Sequence, residues 1–155
     1  MLDILSKELK VFIISMLPLI ELRGAIPIAI GYGMSNLNAF IVSYLGSLLP
    51  VPFILIGFRP LFRALKNSKF LNPFMERIKK RSMNNAGSKI QKYGTLGLLL
   101  FVSLPIPGTG VWSGSVAASM LNIRFKWAFP AIALGNLIAG IIILFFSDSV
   151  FSFFA

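Results

Sequence analysis

Two uncharged apolar blocks, residues 39–58 and 127–147, constrain the fold of this chain more than any other feature. Each holds about 20 residues, and a helix of that length, rising 1.5 Å per residue, covers a hydrocarbon core of roughly 30 Å. Inside a bilayer a segment must satisfy its own backbone polar groups, which a helix does. Each block is therefore predicted to be a transmembrane helix, and Pro50 and Pro52 predict a kink in the first.

The composition is that of a membrane protein. The chain has 155 residues, of which 56% are hydrophobic and 13% charged, and its mean hydropathy of +0.82 argues against a soluble globular domain. Cysteine and histidine are absent, which excludes a disulfide framework, a thiolate metal site and the commonest general base. We expect an all-α integral membrane protein, with residues 1–155 as a single membrane domain and with no metal, no cofactor and no enzymatic activity.

Two segments are predicted to lie at the membrane surface. Residues 1–10 mix apolar and charged side chains and predict a short interfacial helix. Residues 59–92 hold ten of the fifteen basic residues against one acid, Glu76. A basic segment between apolar blocks follows the positive-inside rule, so residues 59–94 are predicted to be a cytoplasmic amphipathic segment that contacts anionic lipid. Since no aromatic-interleaved polar surface accompanies these charges, we expect no nucleic-acid partner.

A broken apolar segment precedes each predicted span. Residues 11–34 are interrupted by prolines, a glycine and two charges, and residues 95–121 are interrupted at Pro105–Gly110. With their spans they form two similar units, residues 11–58 and 95–147. Two dipeptides recur at a spacing of 89 residues: Ala39-Phe40 with Ala128-Phe129, and Leu45-Gly46 with Leu134-Gly135. These matches predict an internal repeat.

The distribution of basic residues predicts how the two units are oriented. If residues 59–94 are cytoplasmic, Arg124 and Lys126 place the start of the second span in the cytoplasm as well. Residues 95–121 then leave the cytoplasm and return to it, which predicts a re-entrant helical hairpin, and residues 11–34 are predicted to enter from outside. An inverted repeat of hairpin plus transmembrane helix is a transporter architecture, with its site near the midplane. A kinked full span remains the alternative for residues 11–34.

The first interruption carries the candidate charges of a site. Glu21 and Arg23 are two residues apart, so on a helix they point about 200° apart and cannot pair. Each needs another partner or a ligand. Arg23 suits a phosphate or carboxylate, because its planar fork donates two parallel hydrogen bonds, and Glu21 suits a proton or a cation. The alternative is a polar network in which both side chains bond to the other half and fix its packing.

The second interruption, Pro105–Gly110, predicts a binding loop. Its two prolines stop a helix, and its glycines allow close backbone approach. The run Val111–Leu121 can then begin a helix whose free N–H groups point toward the break and attract an anion. A plain hairpin turn is the alternative. The candidate substrate-binding residues of the two motifs are Glu21, Arg23, Gly24, Pro27, Pro105, Pro107, Gly108, Thr109, Gly110 and Ser113.

Other residues are assigned to packing or to the interface. Trp112 and Trp127 are predicted to be interfacial anchors. Two spans and two hairpins offer little surface with which to enclose a site, so a homodimer or larger homo-oligomer is expected. Small residues of the second span are predicted to form its interface: Gly135, Ala139 and Gly140. Polar residues within the spans are candidates to line a cavity: Tyr44, Ser47 and Asn136.

The motifs Glu21–Pro27 and Pro105–Gly114, together with the order of the spans, resemble the small multidrug export protein family of bacteria and archaea. The chain also resembles the wider DedA/VTT superfamily, although Leu104 stands where that superfamily has a glycine and one more residue. These resemblances imply opposed re-entrant hairpins in a multi-pass protein of the prokaryotic cell (inner or plasma) membrane. They also imply that Glu21 and Arg23 are an essential charged pair.

Three functions are compatible with these features. The leading hypothesis is a transporter or flippase of an anionic lipid, with undecaprenyl (polyprenyl) phosphate as the candidate that the superfamily resemblance implies. Its partner would be the membrane lipid itself. The first alternative is a proton-coupled small multidrug efflux transporter, with Glu21 as an exchangeable carboxylate. The second is a non-transporting membrane scaffold that uses the basic segment as a binding surface.

Overall fold

A computed structural model describes residues 2–66, 73 and 87–154 of the chain. All regular structure in these ranges is helical, as predicted. The helices are α1 (Leu2–Met16), α2 (Glu21–Gly31), α3 (Asn36–Leu48), α4 (Pro50–Lys66), α5 (Gly87–Ser103), α6 (Val111–Met120) and α7 (Phe125–Phe154).

Within the part of the chain that the structure describes, two helices are long and apolar enough to cross a membrane. The first joins α3 and α4 over Asn36–Leu61, and the second is the part Phe125–Val150 of α7; each has 26 residues, with mean hydropathies of 2.1 and 2.3. The first helix is interrupted only at Leu49, directly before Pro50, where the sequence predicts a kink. Large apolar side chains such as Phe53 and Phe145 are more than two-thirds exposed. Lipid is the solvent that suits such a surface, and the chain is a membrane protein.

The prediction of a short helix over residues 1–10 is wrong, because α1 continues to Met16. No proline or glycine interrupts the chain before Pro18, so the helix extends as far as the sequence permits. Its inner face packs against α2 and α3, with Val11 and Ser15 fully buried. A Cβ atom at Gly46 of α3 would overlap Ser15, so α1 and α3 approach closely there.

The basic segment 59–94 lies largely outside the described residues. Its first part, through Lys66, continues α4, and its last part belongs to α5. Between these parts the structure describes only Pro73. The prediction that this segment lies along the cytoplasmic membrane surface therefore stays a prediction.

Two helix ends, those of α2 and α6, close in the same way 89 residues apart. After α2, Gly33 has a φ of 79°, and the N–H of Met34 donates to Ala29 O over 3.1 Å. After α6, Asn122 has a φ of 55°, and the N–H of Ile123 donates to Ala118 O over 3.0 Å. Both are left-handed C-caps of the Schellman type. The two long apolar helices also begin 89 residues apart and end 89 residues apart, at Asn36–Leu61 and Phe125–Val150.

A polar seam joins the middles of α3 and α7. The Tyr44 hydroxyl donates to Ala133 O over 3.0 Å, and Asn136 Nδ2 donates to Ser47 Oγ over 2.8 Å. Ser47 and Asn136 are buried, so this pairing removes the cost of unsatisfied polar groups in the interior. These side chains hold the two helices together, and the prediction that they line a cavity stays a prediction.

Two further contacts tie the ends of the long helices to each other. Near one end, Asn36 Nδ2 donates to Asp148 Oδ1 over 2.7 Å. Near the other end, Arg59 donates from Nη2 to the carbonyl oxygen of Ile123, two residues before α7 begins. The side chains of α4 to α7 form one core cluster, in which Val51, Val102 and other buried residues meet.

The small residues expected at a dimer interface lie inside the protomer. A Cβ atom at Gly135 would contact Leu99 and Val102 of α5, and one at Gly140 would contact Phe40 and Leu22. Ala139 is fully buried. Because these positions already carry helix packing within the chain, the prediction that they form an interface between protomers is wrong.

Candidate functional site

A cavity of about 610 Å³ lies where α1–α2, the first helix pair, meets α5–α6, the second helix pair. It is bounded by the turn between α1 and α2, the start of α2, the loop between α5 and α6, and the start of α6. Its lining residues are Pro18, Leu19, Ile20, Glu21, Arg23, Gly24, Ile28, Pro105, Pro107, Gly108, Gly110, Trp112, Ser113 and Ile143. The cavity thus brings together the two interruptions that the sequence predicted to form one site.

Arg23 is bound to the second helix pair through its guanidinium group. Nη2 lies 3.1 Å from Val102 O, 2.7 Å from Leu104 O and 3.0 Å from Thr109 O. Nη1 donates to Ile106 O. These oxygens are the orphan carbonyls at the end of α5 and the carbonyls of the following loop, which an α-helix cannot satisfy by itself. Arg23 therefore fixes the shape of the loop, and its charge is bound by neutral acceptors.

Glu21 holds the start of α6. Its Oε1 accepts a hydrogen bond from the backbone N–H of Trp112 over 3.2 Å, and the residue is only 6% exposed. The N-terminus of a helix carries a partial positive charge and favours a carboxylate. The sequence assigned this helix N-terminus to an anionic ligand, and the structure has the protein's own carboxylate there. Glu21 itself has a φ of 49°, a conformation that costs a non-glycine residue on the order of 1 kcal/mol.

Trp112, which the sequence analysis predicted to be an interfacial anchor, lines the cavity. Its indole Nε1 donates to Met16 O, the last residue of α1, over 3.0 Å. This contact gives Trp112 a role within the site, because its polar atom satisfies a helix end of the opposite pair, and its predicted role as an interfacial anchor stays a prediction. Trp112 follows Arg23 by 89 residues, so the repeat spacing is the signal that could have identified it.

The loop between α5 and α6 is folded on itself. The Thr109 hydroxyl lies 2.8 Å from both Leu104 O and Ile106 O, and the N–H of Thr109 donates to Ile106 O over 3.2 Å. Gly108 has a φ of 90°, which only glycine adopts readily. The residues that the sequence predicted as helix breakers thus form a compact turn whose carbonyls face Arg23.

Eight of the ten candidate residues line the cavity, and two do not. Pro27 lies within α2, away from the cavity lining, and Thr109 contributes its hydroxyl and carbonyl to the loop instead. Sequence reasoning missed Trp112, and it also missed Ile143, an apolar residue in the middle of α7. Nothing in the local sequence distinguishes Ile143 from its apolar neighbours.

Both charges of the site are bound to backbone groups of the opposite helix pair. The network that sequence analysis gave as the alternative to a binding role thus describes the contacts of Glu21 and Arg23 here. The arrangement can do two things chemically. It cross-links two helix pairs at their ends, and it places one guanidinium and one carboxylate beside a cavity large enough for a small head group.

The fold and the site define an all-α membrane protein with a charged cavity between two helix pairs. A sequence model of the family described as "Putative small multi-drug export protein" matches residues 21–142, most of the chain. The chain belongs to this family, whose description points to a membrane transporter rather than an enzyme. Comparison with curated proteins and with solved structures gives no match.

Proposed function

We propose that this protein is a transporter or flippase of an anionic lipid, and that a polyprenyl phosphate such as undecaprenyl phosphate is its substrate. The proposal rests on the hydrogen bonding of Arg23. This residue lines the cavity, and its guanidinium donates to four uncharged carbonyls. A phosphate is a stronger acceptor than a carbonyl, because its hydrogen bonds to a guanidinium are charge-assisted and bidentate. A phosphate head group can therefore replace part of the loop as the partner of Arg23.

The proposed framework is an inverted repeat of two re-entrant hairpins, each followed by a transmembrane helix, as in the DedA/VTT superfamily. Residues related by a two-fold axis contact each other only near that axis. Three pairs 89 residues apart meet in this way: Glu21 with Gly110, Tyr44 with Ala133, and Ser47 with Asn136. They support an axis that passes through the cavity and the polar seam, as expected for a transporter site.

In the proposed cycle the head group enters the cavity while the prenyl tail stays in lipid. Leu19 at the cavity rim is 96% exposed, so this side of the cavity suits an apolar tail. When the phosphate takes hydrogen bonds from Arg23, the carbonyls of Leu104, Ile106 and Thr109 lose a partner and the loop loosens. Movement of the loop then opens the opposite side of the site.

A second function is favoured by another set of contacts at the same cavity. Glu21 and Trp112 both line it, and a carboxylate together with an aromatic residue suits an organic cation. The family description also names multi-drug export. In this alternative Glu21 exchanges a proton for a cationic drug. Glu21→Gln would then still bind the drug but lose its response to a pH gradient.

We place the protein in the cell membrane of a prokaryote, with residues 59–94 on the cytoplasmic side, and propose a homodimer or larger homo-oligomer. The exposed apolar face of α7, which includes Ile138 and Phe145, is available to lipid or to a second copy. Light scattering of the detergent-solubilised protein tests the oligomer, and a monomer that stays active after reconstitution would refute it.

The decisive experiment measures flux of a labelled polyprenyl phosphate into proteoliposomes, beside flux of a cationic dye. We expect prenyl phosphate flux in the wild type, a loss of at least tenfold in Arg23→Lys, and no change in Arg63→Lys. Arg63 is exposed on α4 and provides a matched control. Native mass spectrometry of the purified protein should reveal the co-purified lipid. Dye flux without prenyl phosphate flux would overturn the proposal and favour the cation exporter.

A further inference from the structure

The first turn of α6 has its N-terminal cap in an unusual place. In an ordinary helix the N-cap side chain accepts a hydrogen bond from an N–H two or three residues later. Helix α3 follows this rule, since Ser35 Oγ accepts from Asn38 N over 3.4 Å. At α6 the N-cap residue is Gly110, which has no side chain to offer, and the N–H of Trp112 is bound by Glu21 of the opposite helix pair.

The backbone does not require glycine at position 110. Gly110 has a φ of −80° and a ψ of −167°, an extended conformation that any residue adopts. What glycine provides is space, because a Cβ atom there would overlap the carboxylate oxygens and Cδ of Glu21. Position 21 shows the opposite mismatch, since its φ of 49° suits glycine and yet it carries glutamate. The contact between the two residues explains both the glycine at position 110 and the glutamate at position 21.

We propose that Glu21 and Gly110 are a pair of positioning residues in which the cap of α6 is supplied in trans. Gly110 leaves the N-terminus of α6 open, and Glu21 reaches across from α2 to close it. The order of the first turn of α6 is then coupled to the docking of the two helix pairs. A helix capped by its own residue would stay ordered when the pairs separate, whereas α6 loses its cap at that moment.

This coupling gives the site a role for Glu21 that is distinct from binding substrate, and its meaning for transport rests on the proposed function. Opening of the cavity removes Glu21 from Trp112 N and frees the start of α6 together with the loop held by Arg23. Positions 21 and 110 face each other, so only one of them has room for a side chain. The same carboxylate could be carried at position 110 without cost to the backbone, but there it would cap α6 in cis and link nothing.

The test exchanges the two residue types in a Trp127→Phe background, where Trp112 is the only tryptophan. Amide exchange over residues 110–115 reports the first turn of α6, and acrylamide quenching of Trp112 reports docking of the helix pairs. In Glu21→Gly we expect roughly fivefold faster exchange, the size of a lost cap, and stronger quenching. In the double variant Glu21→Gly/Gly110→Asp, the new aspartate caps α6 in cis. Exchange should return to the wild-type rate while quenching stays high.

Two further variants separate this result from general damage. Gly31→Ala is the matched control, because a Cβ atom there meets nothing within 4 Å, and it should change neither readout. Glu21→Gln keeps an acceptor oxygen and should give exchange between the wild type and Glu21→Gly. Unchanged exchange and quenching in Glu21→Gly would overturn the proposal. A double variant that recovers both readouts would also overturn it, because Glu21 would then not link the pairs. A double variant that recovers neither readout would overturn it as well, because position 110 could then not hold the cap.

None of these measurements needs a substrate. A wild type without prenyl phosphate flux would therefore end the proposed function and leave the cap in trans untouched. Conversely, a Glu21→Gly variant with wild-type exchange would end the cap proposal and leave the flux result standing.

Discussion

Replacement of Arg23 is the perturbation whose effect can be worked out most fully from the structure. Its Nη2 has three carbonyl acceptors for two hydrogens, and its Nη1 has one more acceptor, Ile106 O. Arg23→Met removes all of these donors and keeps the apolar stem. Arg23→Lys keeps three donor hydrogens on a single nitrogen. It can therefore donate to carbonyls that lie close to that nitrogen, but not to all four acceptors from Val102 to Thr109.

The expected loss of stability follows from the number of bonds. Three hydrogens are shared among the four carbonyls, so a net contribution of about 0.5–1.5 kcal/mol for each hydrogen gives roughly 1.5–4.5 kcal/mol for Arg23→Met. The value should fall in the lower half of that range, because Leu104 and Ile106 are about half exposed and their carbonyls can find other partners. For Arg23→Lys, which loses one or two bonds, we expect about 1–2 kcal/mol.

Unfolding in mixed micelles, followed by circular dichroism as the fraction of denaturing detergent rises, measures these free energies. Arg63→Met and Arg63→Lys are matched controls on the exposed surface of α4 and should stay within about 0.5 kcal/mol of the wild type. The order of stability should be wild type, Arg23→Lys, Arg23→Met. An Arg23→Met variant as stable as its control would refute the idea that Arg23 clamps the loop.

Three other perturbations test the packing. Gly140→Ala should destabilise the same micellar unfolding by about 1–3 kcal/mol, because its Cβ would press on Phe40 and Leu22, whereas Gly57→Ala, with open space around it, should not. A double-mutant cycle of Ser47→Ala and Asn136→Ala should give a coupling free energy of about 0.5–1.5 kcal/mol, and additive losses would contradict the seam. Trp112→Phe should cost about 1 kcal/mol through the lost bond to Met16, and no loss would argue against that bond.

The sequence was sufficient to find the two helices long enough to span and the two motifs of the site. Charges and helix breakers are costly inside apolar segments, so Glu21, Arg23 and the loop Pro105–Gly110 stand out against their surroundings. The requirement that Glu21 and Arg23 find separate partners also followed from helix geometry. Their spacing thus predicted two distinct contacts before any partner was known.

The identity of those partners could not be read from the sequence. Arg23 binds backbone carbonyls, and every residue has one, so no residue type marks the acceptors. The same holds for Trp112, whose partner is the carbonyl of Met16. Gly135 and Gly140 are small residues of the kind that allow close packing between protomers. The sequence does not show which helix packs against them. Only the tertiary arrangement distinguishes packing within the chain from packing between chains.

The polar seam and the two end contacts limit how the two long helices can rotate relative to each other. The bonds from Tyr44 and Asn136 hold the helices together at mid-length and act as the pivot. The Asn36–Asp148 bond and the Arg59–Ile123 bond lie on opposite sides of this pivot. A rotation about the pivot that lengthens one of these two bonds brings the partners of the other closer, so the two end contacts restrain opposite directions of rotation.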